Sequence, residues 1–291
     1  MQAFDYAAAR SVEEAVSLLE QQGDQARVLS GGTDIIVQVR EGRRKVALLV
    51  DVKGIPELNQ LSYTPQQGLL LGAAVPCHKI YGDAAIAAAY PGLIDAVSLV
   101  GGTAIQGRAT VGGNLCNASP AADTTPALIV LQTTCVIAGP RGRREVPVED
   151  FCTGPGHTVL QHGEFLVSFR IPPPPPRSGA FYLRFIPRNE MDIAVVGAGA
   201  SVVLNADRTA FVSARVALAA VAPTPLLVNE AGAALAGKAI SDEAIQAAAE
   251  AAQAAARPID DMRGTVAFRR HLSGVLTRRA LQGAIQRAKE R

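Results

Sequence analysis

The chain has 291 residues, enough for two domains, and with 48% hydrophobic and 19% charged residues it can bury real cores and is not a disordered polyelectrolyte. Its 28 basic and 26 acidic side chains leave a net charge of +2, which argues against bulk electrostatic capture of nucleic acid. With no Trp and 4% aromatics there is no base-stacking platform either.

In chain order, a strand precedes a helix opened by Ser11-Val-Glu-Glu14, which has the spacing of a capping box, and Gly23 is a natural stop. A short strand ends at Val28-Leu29, the Gly31-Gly32 break follows, and a second helix starts near Asp34. Val46 to Val52 and Leu69 to Leu71 read as buried strands. One helix is expected over about 77–89 and another over about 93–100, and then a Gly-rich passage runs from Gly101 to Asn114. Gly139-Pro-Arg-Gly142 is a turn between strands, and Glu164 to Arg170 is a further strand.

Pro172 to Pro176 make a stiff linker or edge crossover, and the domain boundary is placed there, giving units 1–175 and 176–291. Ala180–Ile186, Ala194–Leu204 and Ala210–Val221 suit an antiparallel meander. Helices follow near 229–236, 241–257 and from 264 to the end. Residues 257–291 hold nine Lys or Arg against three Asp or Glu. That basic stretch is either a solvated helix or a docking face for an acidic partner, with Arg269, Arg270, Arg278 and Arg279 as its charges.

No apolar run reaches the roughly 18 residues of a membrane span, and the N-terminus lacks the pattern of a signal peptide. Cys77, Cys116, Cys135 and Cys152 are scattered, with neither metal-ligand nor disulfide-framework spacing, so a cytoplasmic location and no metal site are expected. No Ser-His-Asp, HExxH or paired-carboxylate set stands out. Two glycine patterns are decoys: Gly197-Ala-Gly199 continues as strand, and Gly232 to Lys238 has Ala239 where a phosphate loop needs Ser or Thr.

Two others are not. Ser30-Gly31-Gly32-Thr33-Asp34 lies between strand and helix, where paired glycines turn amides toward an anion. Thr110-Val111-Gly112-Gly113-Asn114 repeats the pattern. Each alone is compatible with a plain tight turn. Together, and with no Lys reserved for a terminal phosphate, they suit a diphosphate held by backbone, hence a dinucleotide.

VLSGGTDIIVQVR (28–40) followed by TVGGNLCNASPAAD (110–123) resembles the FAD-binding medium subunit of molybdenum hydroxylases, the family of xanthine dehydrogenase and aerobic carbon monoxide dehydrogenase. The similarity extends through LVDVKGIPEL (49–58), LLLGAAV (69–75), the Tyr182…Asp192 strand pair and DMRGTVAFRRHLSGVLTRRAL (261–281). The resemblance implies an α+β fold. A vanillyl-alcohol-oxidase (PCMH)-type FAD-binding domain of two α/β subdomains comes first. A C-terminal domain with a three-stranded antiparallel sheet and a helical bundle follows it.

The same resemblance puts FAD along Leu29, Ser30, Gly31, Gly32, Thr33 and Asp34, with the diphosphate on the glycines, and along Thr110, Val111, Gly112, Gly113 and Asn114. Asp123 closes the second motif, and Ile193 would pass near the isoalloxazine. Two departures stand out: Ala104-Ile105-Gln106-Gly107 replaces the family's Gln-Ile-Arg-Asn, and Arg184 stands where Lys is common. The implied activity is an oxidoreductase subunit with no catalytic acid or base of its own. It takes electrons from 2Fe–2S clusters on a small partner subunit, substrate being oxidised at the molybdenum cofactor of a large partner subunit, and passes them from FAD to an external acceptor. A free-standing FAD-dependent oxidase and a non-redox nucleotide-binding or assembly protein are the rival readings, separated by what cofactors the chain retains.

Overall fold

The structure, a computed structural model, describes residues 3–291, so Met1 and Gln2 lie outside the described residues. The chain begins with β1 (Asp5–Ala8), α1 (Val12–Gln22), β2 (Ala26–Leu29), α2 (Ile35–Arg40) and β3 (Leu48–Asp51). These strands form a parallel sheet in the order β1-β3-β2, the arrangement that helical crossovers permit. β3 is central and wholly buried: Leu48, Leu49 and Val50 are apolar, and the buried Asp51 is satisfied by Tyr6 and Lys53. Ser11 caps α1 by accepting the Glu14 amide at 3.1 Å, and the Glu14 carboxylate reaches back to the Arg10 amide at 2.8 Å, one residue before the expected Ser11 amide.

The second segment runs β4 (Leu61–Thr64), β5 (Gly68–Gly72), α3 (Cys77–Tyr81), α4 (Ala84–Ala89), α5 (Pro91–Val97), α6 (Val111–Cys116), α7 (Thr124–Val130), β6 (Thr134–Gly139), β7 (Gly142–Pro147), β8 (Cys152–Gly154), β9 (His157–Thr158) and β10 (Phe165–Ile171). Its main sheet is antiparallel, in the order β4-β5-β10-β6-β7. Leu69, Leu71, Ile80, Leu93, Leu128 and Phe169 share one core between sheet and helices. Ala138, Phe165 and Val167 of this sheet instead join the core of the first sheet, which ties the two subdomains together.

Two expectations change here. The helix expected over 77–89 divides, because Asp83 stops α3 and caps α4, its Oδ1 accepting the Ala85 and Ile86 amides. The glycine-rich passage from Gly101 ends in helix α6, capped by Thr110.

After the proline run, which Tyr90 holds by donating its hydroxyl to the Pro172 carbonyl at 3.0 Å, come β11 (Ser178–Phe185), β12 (Val196–Leu204), β13 (Phe211–Ala219) and β14 (Leu226–Leu227). The first three make the expected meander, and two-residue β14 adds a short edge along Ala217 and Leu218. The Gly197-Ala-Gly199 decoy is strand: at Gly197 a Cβ would come within 2.6 Å of the Tyr182 hydroxyl. Then α8 (Asn229–Leu235), α9 (Asp242–Ala255) and α10 (Val266–Glu290) follow. Leu272, Leu276, Ala280, Ala284 and Ala288 recur every four residues on α10 and bury against the sheet. Among the described residues no helix is long and apolar enough to cross a membrane.

The C-terminal sheet is fastened to the second segment by polar contacts. Arg287 binds Asp95 with both guanidinium nitrogens, Arg215 pairs with Glu149 at 2.8 Å, and Arg184 pairs with Asp123.

Candidate cofactor site

The first glycine pair lies where β2 stops and α2 starts. A Cβ on Gly31 would sit 2.5 Å from the Arg108 carbonyl oxygen, so only glycine lets these two backbones meet. Gly32 has φ +81°, the left-handed region that favours glycine. Along this bend, no amide from Ser30 to Ile35 donates to any acceptor among the described residues. The Leu29 side chain is packed among Val39, Val46 and Leu49. Burial raises the Asp34 carboxyl above its ordinary pKa, against the pull of Arg43.

The second pair is built differently. Thr110 is buried, and its hydroxyl accepts the Gly113 amide at 2.9 Å as the cap of α6. Gly112 is turned into the protein, where a Cβ would meet the Ala73 carbonyl and lie 2.7 Å from the Ala73 Cβ. Val111 is core. Asn114 points onward: its Oδ1 accepts the Thr124 hydroxyl at 2.6 Å.

The fold nevertheless brings the two segments together. The Ser30 and Thr110 hydroxyls lie 3.2 Å apart, Arg108 donates its Nε–H to the Gly31 carbonyl at 3.3 Å, and Gln38 donates to Asn117 at 3.0 Å. Sequence reasoning missed Arg108, Gln38 and Asn117, because these contacts join residues 77 to 80 positions apart with no spacing signal. In the segment that departs from the family pattern, Gln106 is buried and donates to the Ser98 and Val100 carbonyls, shaping the loop that carries Arg108.

Asp123 lies at the junction with the C-terminal sheet. One carboxylate oxygen accepts the Tyr182 hydroxyl at 2.8 Å, and the other is paired with Arg184 Nη1. Burial pushes its pKa up to about 6, although Arg184 and the Tyr182 hydrogen bond pull the other way. The Tyr182 hydroxyl is raised in turn, by its own burial and by Asp123. Arg184 Nε is buried with no acceptor. Ile193 lies outside this network and is 51% exposed, two residues before Val195, whose amide bonds the Phe185 carbonyl beside Arg184. Met191, on the same loop, packs over Gly102.

The row of unpaired amides from Ser30 to Ile35 calls for an oxygen-rich anion, so it fits the diphosphate of FAD. Cys116 packs against the core, and burial raises its thiol to about 12, the behaviour of a small hydrophobe and not of a thiolate. Among the described residues no three His, Cys, Asp or Glu side chains converge as metal ligands.

Residues 2–174 match the model of the FAD-binding domain in molybdopterin dehydrogenase, and residues 181–284 match that of the CO dehydrogenase flavoprotein C-terminal domain. The chain is 32% identical over 283 residues to the carbon monoxide dehydrogenase medium chain of Hydrogenophaga pseudoflava, covering 97% of this chain and 96% of that one. It is 30% identical to the xanthine dehydrogenase FAD-binding subunit of Escherichia coli O157:H7, covering 98% of each. Its structure superposes on a chain of the H. pseudoflava carbon monoxide dehydrogenase crystal structure with a TM-score of 0.94, covering 98% of both at 32% identity. A chain of quinoline 2-oxidoreductase from Pseudomonas putida 86 gives 0.90, with 99% of this chain and 98% of that one covered at 30% identity.

Proposed function

The chain belongs to the family of FAD-binding subunits of molybdopterin dehydrogenases, and from that premise we propose that it is the electron-relay subunit of a multi-subunit molybdenum hydroxylase. It is an oxidoreductase component that carries a FAD-binding domain. Substrate would be oxidised at a molybdenum cofactor on a large partner, electrons would arrive through 2Fe–2S clusters on a small partner, and an external acceptor would remove them. Bound FAD supplies a centre that can take electrons singly and release them in pairs.

This chain's residues bind and orient that group. The amides of Ser30 to Ile35 donate to the diphosphate, and this row of unpaired donors is the observation that carries the assignment. Thr110 holds the second segment against Ser30, and Val111 to Asn114 back the cofactor through the rigid start of α6. Arg184, positioned by Asp123, supplies positive charge at the junction, and Ile193 offers an apolar surface to the ring system. The cofactor-binding unit is residues 1–175 and the C-terminal unit 176–291, and the complex works in the cytoplasm.

The test is to tag the chain in its native cell, isolate it gently and measure flavin, iron and molybdenum per chain alongside the visible spectrum. Flavin bands with iron–sulfur absorption and molybdenum are expected. Flavin alone would point to a free-standing oxidase, and a colourless folded chain would overturn the cofactor assignment itself.

A further inference from the structure

The arginines of α10 and its end fall into two groups. Arg269, only 3% exposed, donates to the Val195 and Ala220 carbonyls and pairs with Asp261, so it cannot belong to a docking face. Arg270 donates to the Ala256 carbonyl at 3.1 Å. Arg287 holds Asp95 and lies over the Phe181 ring at 4.4 Å, and Arg291 bonds the Ala88 and Ala89 carbonyls. All four are fastened to the protein itself.

Arg278, Arg279 and His271 are different. They are exposed, have no protein partner among the described residues, and line one groove of about 490 Å³ between α9 and α10. Gln246, Gln253 and Gln282 line it as well, and no carboxylate does. Glu250, on the same helix as Gln246, accepts that side chain's amide at 3.0 Å.

We propose that this groove receives a carboxylate-bearing peptide segment of a partner subunit, with Arg278 and Arg279 binding its acidic side chains. A guanidinium fork matches a carboxylate with two parallel hydrogen bonds. Gln side chains both donate and accept, which suits the alternating N–H and C=O groups of a peptide backbone. Charge complementarity selects such a segment and makes its retention sensitive to salt. The proposal rests on the subunit reading above.

The experiment compares native-cell isolates of the tagged chain, wild type and Arg278→Glu/Arg279→Glu, for flavin, iron and molybdenum per chain at low and high salt. The variant is expected to keep its flavin and lose iron and molybdenum about tenfold or more. Lys238→Glu/Arg208→Glu, an equal charge change elsewhere on the surface, should keep all three. Unchanged metal content in the Arg278/Arg279 variant at both salts overturns the groove as the docking site. So does loss of flavin along with the metals from a folded variant, since the groove would then be serving the cofactor. If the Glu variant does not fold, Arg278→Gln/Arg279→Gln decides: lost metals with flavin kept support the proposal, and unchanged ratios refute it. Tight binding of inorganic phosphate with metals unaffected would mark a small-anion site instead. A wild-type isolate holding flavin but no metals would defeat the subunit reading, and the groove proposal falls with it.

Discussion

Gly31-Gly32 and Gly112-Gly113 look alike in sequence and do different work. At the first pair the backbone bends against the Arg108 carbonyl and leaves a row of amides without acceptors. At the second, Thr110 takes up the Gly113 amide and Gly112 lets α6 press on Ala73. One pair leaves its donors without acceptors; the other permits close packing of a helix against Ala73. A glycine pair therefore marks a place where backbone must come close to something, and what that something is depends on the surrounding chain.

The sharpest way to break the comparison is Gly112→Val. The added side chain meets backbone that cannot yield, so a loss of about 3 kcal/mol or more is expected, with flavin lost because the fold is lost. A folded Gly112→Val protein without flavin would instead make the second pair a direct cofactor contact. Gly32→Ala should act the other way round. Left-handed strain costs about 1–2 kcal/mol there, and its nearest neighbours are the ends of Leu29 and Ile36, which can move. The fold should survive by circular dichroism while flavin retention falls, and full flavin content would refute the diphosphate assignment. Thr110→Val should cost about 1 kcal/mol, by removing the cap of α6 together with the contact to Ser30. Ser30→Ala removes only the latter and should melt closer to wild type. A larger loss in Ser30→Ala would reverse the roles given to the two hydroxyls.

The smallest effect is a pH slope at the junction. Burial raises the Asp123 pKa to about 6, so between its unfolded value and 6 the folded protein keeps a proton that the unfolded chain releases. Its contribution to stability is therefore largest at acid pH and declines as pH rises to about 6. The penalty of Asp123→Asn, read from denaturant unfolding, should shrink between about pH 4 and pH 6. A penalty that grows with pH would mean that Arg184 holds the carboxylate ionised.

Much of the fold was legible beforehand. The capping spacing of Ser11 to Glu14, the buried run of Leu48 to Asp51 and the meander up to Leu204 are local patterns, and each forms within a residue or two of expectation. The division of α3 from α4 was missed because the apolar periodicity outweighed Asp83, which caps a new helix. The start of α6 was hidden because Gly112 and Gly113 are poor helix formers that tertiary packing keeps helical. The candidate residues of the two glycine segments were named from sequence, but Arg108, Gln38 and Asn117, and the different surroundings of the two pairs, were not. Arg269 shows the same limit: it reads like Arg278 and Arg279 in a basic helix, yet it is buried.

The sequence by itself determined most of the strands and the capped helix α1, which glycines mark close backbone approach, and the family, because capping, periodicity and motif order are written within a few neighbouring residues. Only the tertiary structure decided which amides stay without an acceptor and which arginines stay free. Those outcomes rest on partners such as Arg108 for Gly31, Thr110 for Ser30 and Asp95 for Arg287, the last pair 192 residues apart. A hydrogen-bond donor finds its acceptor through space, and no local pattern records a contact that exists only once distant segments have packed.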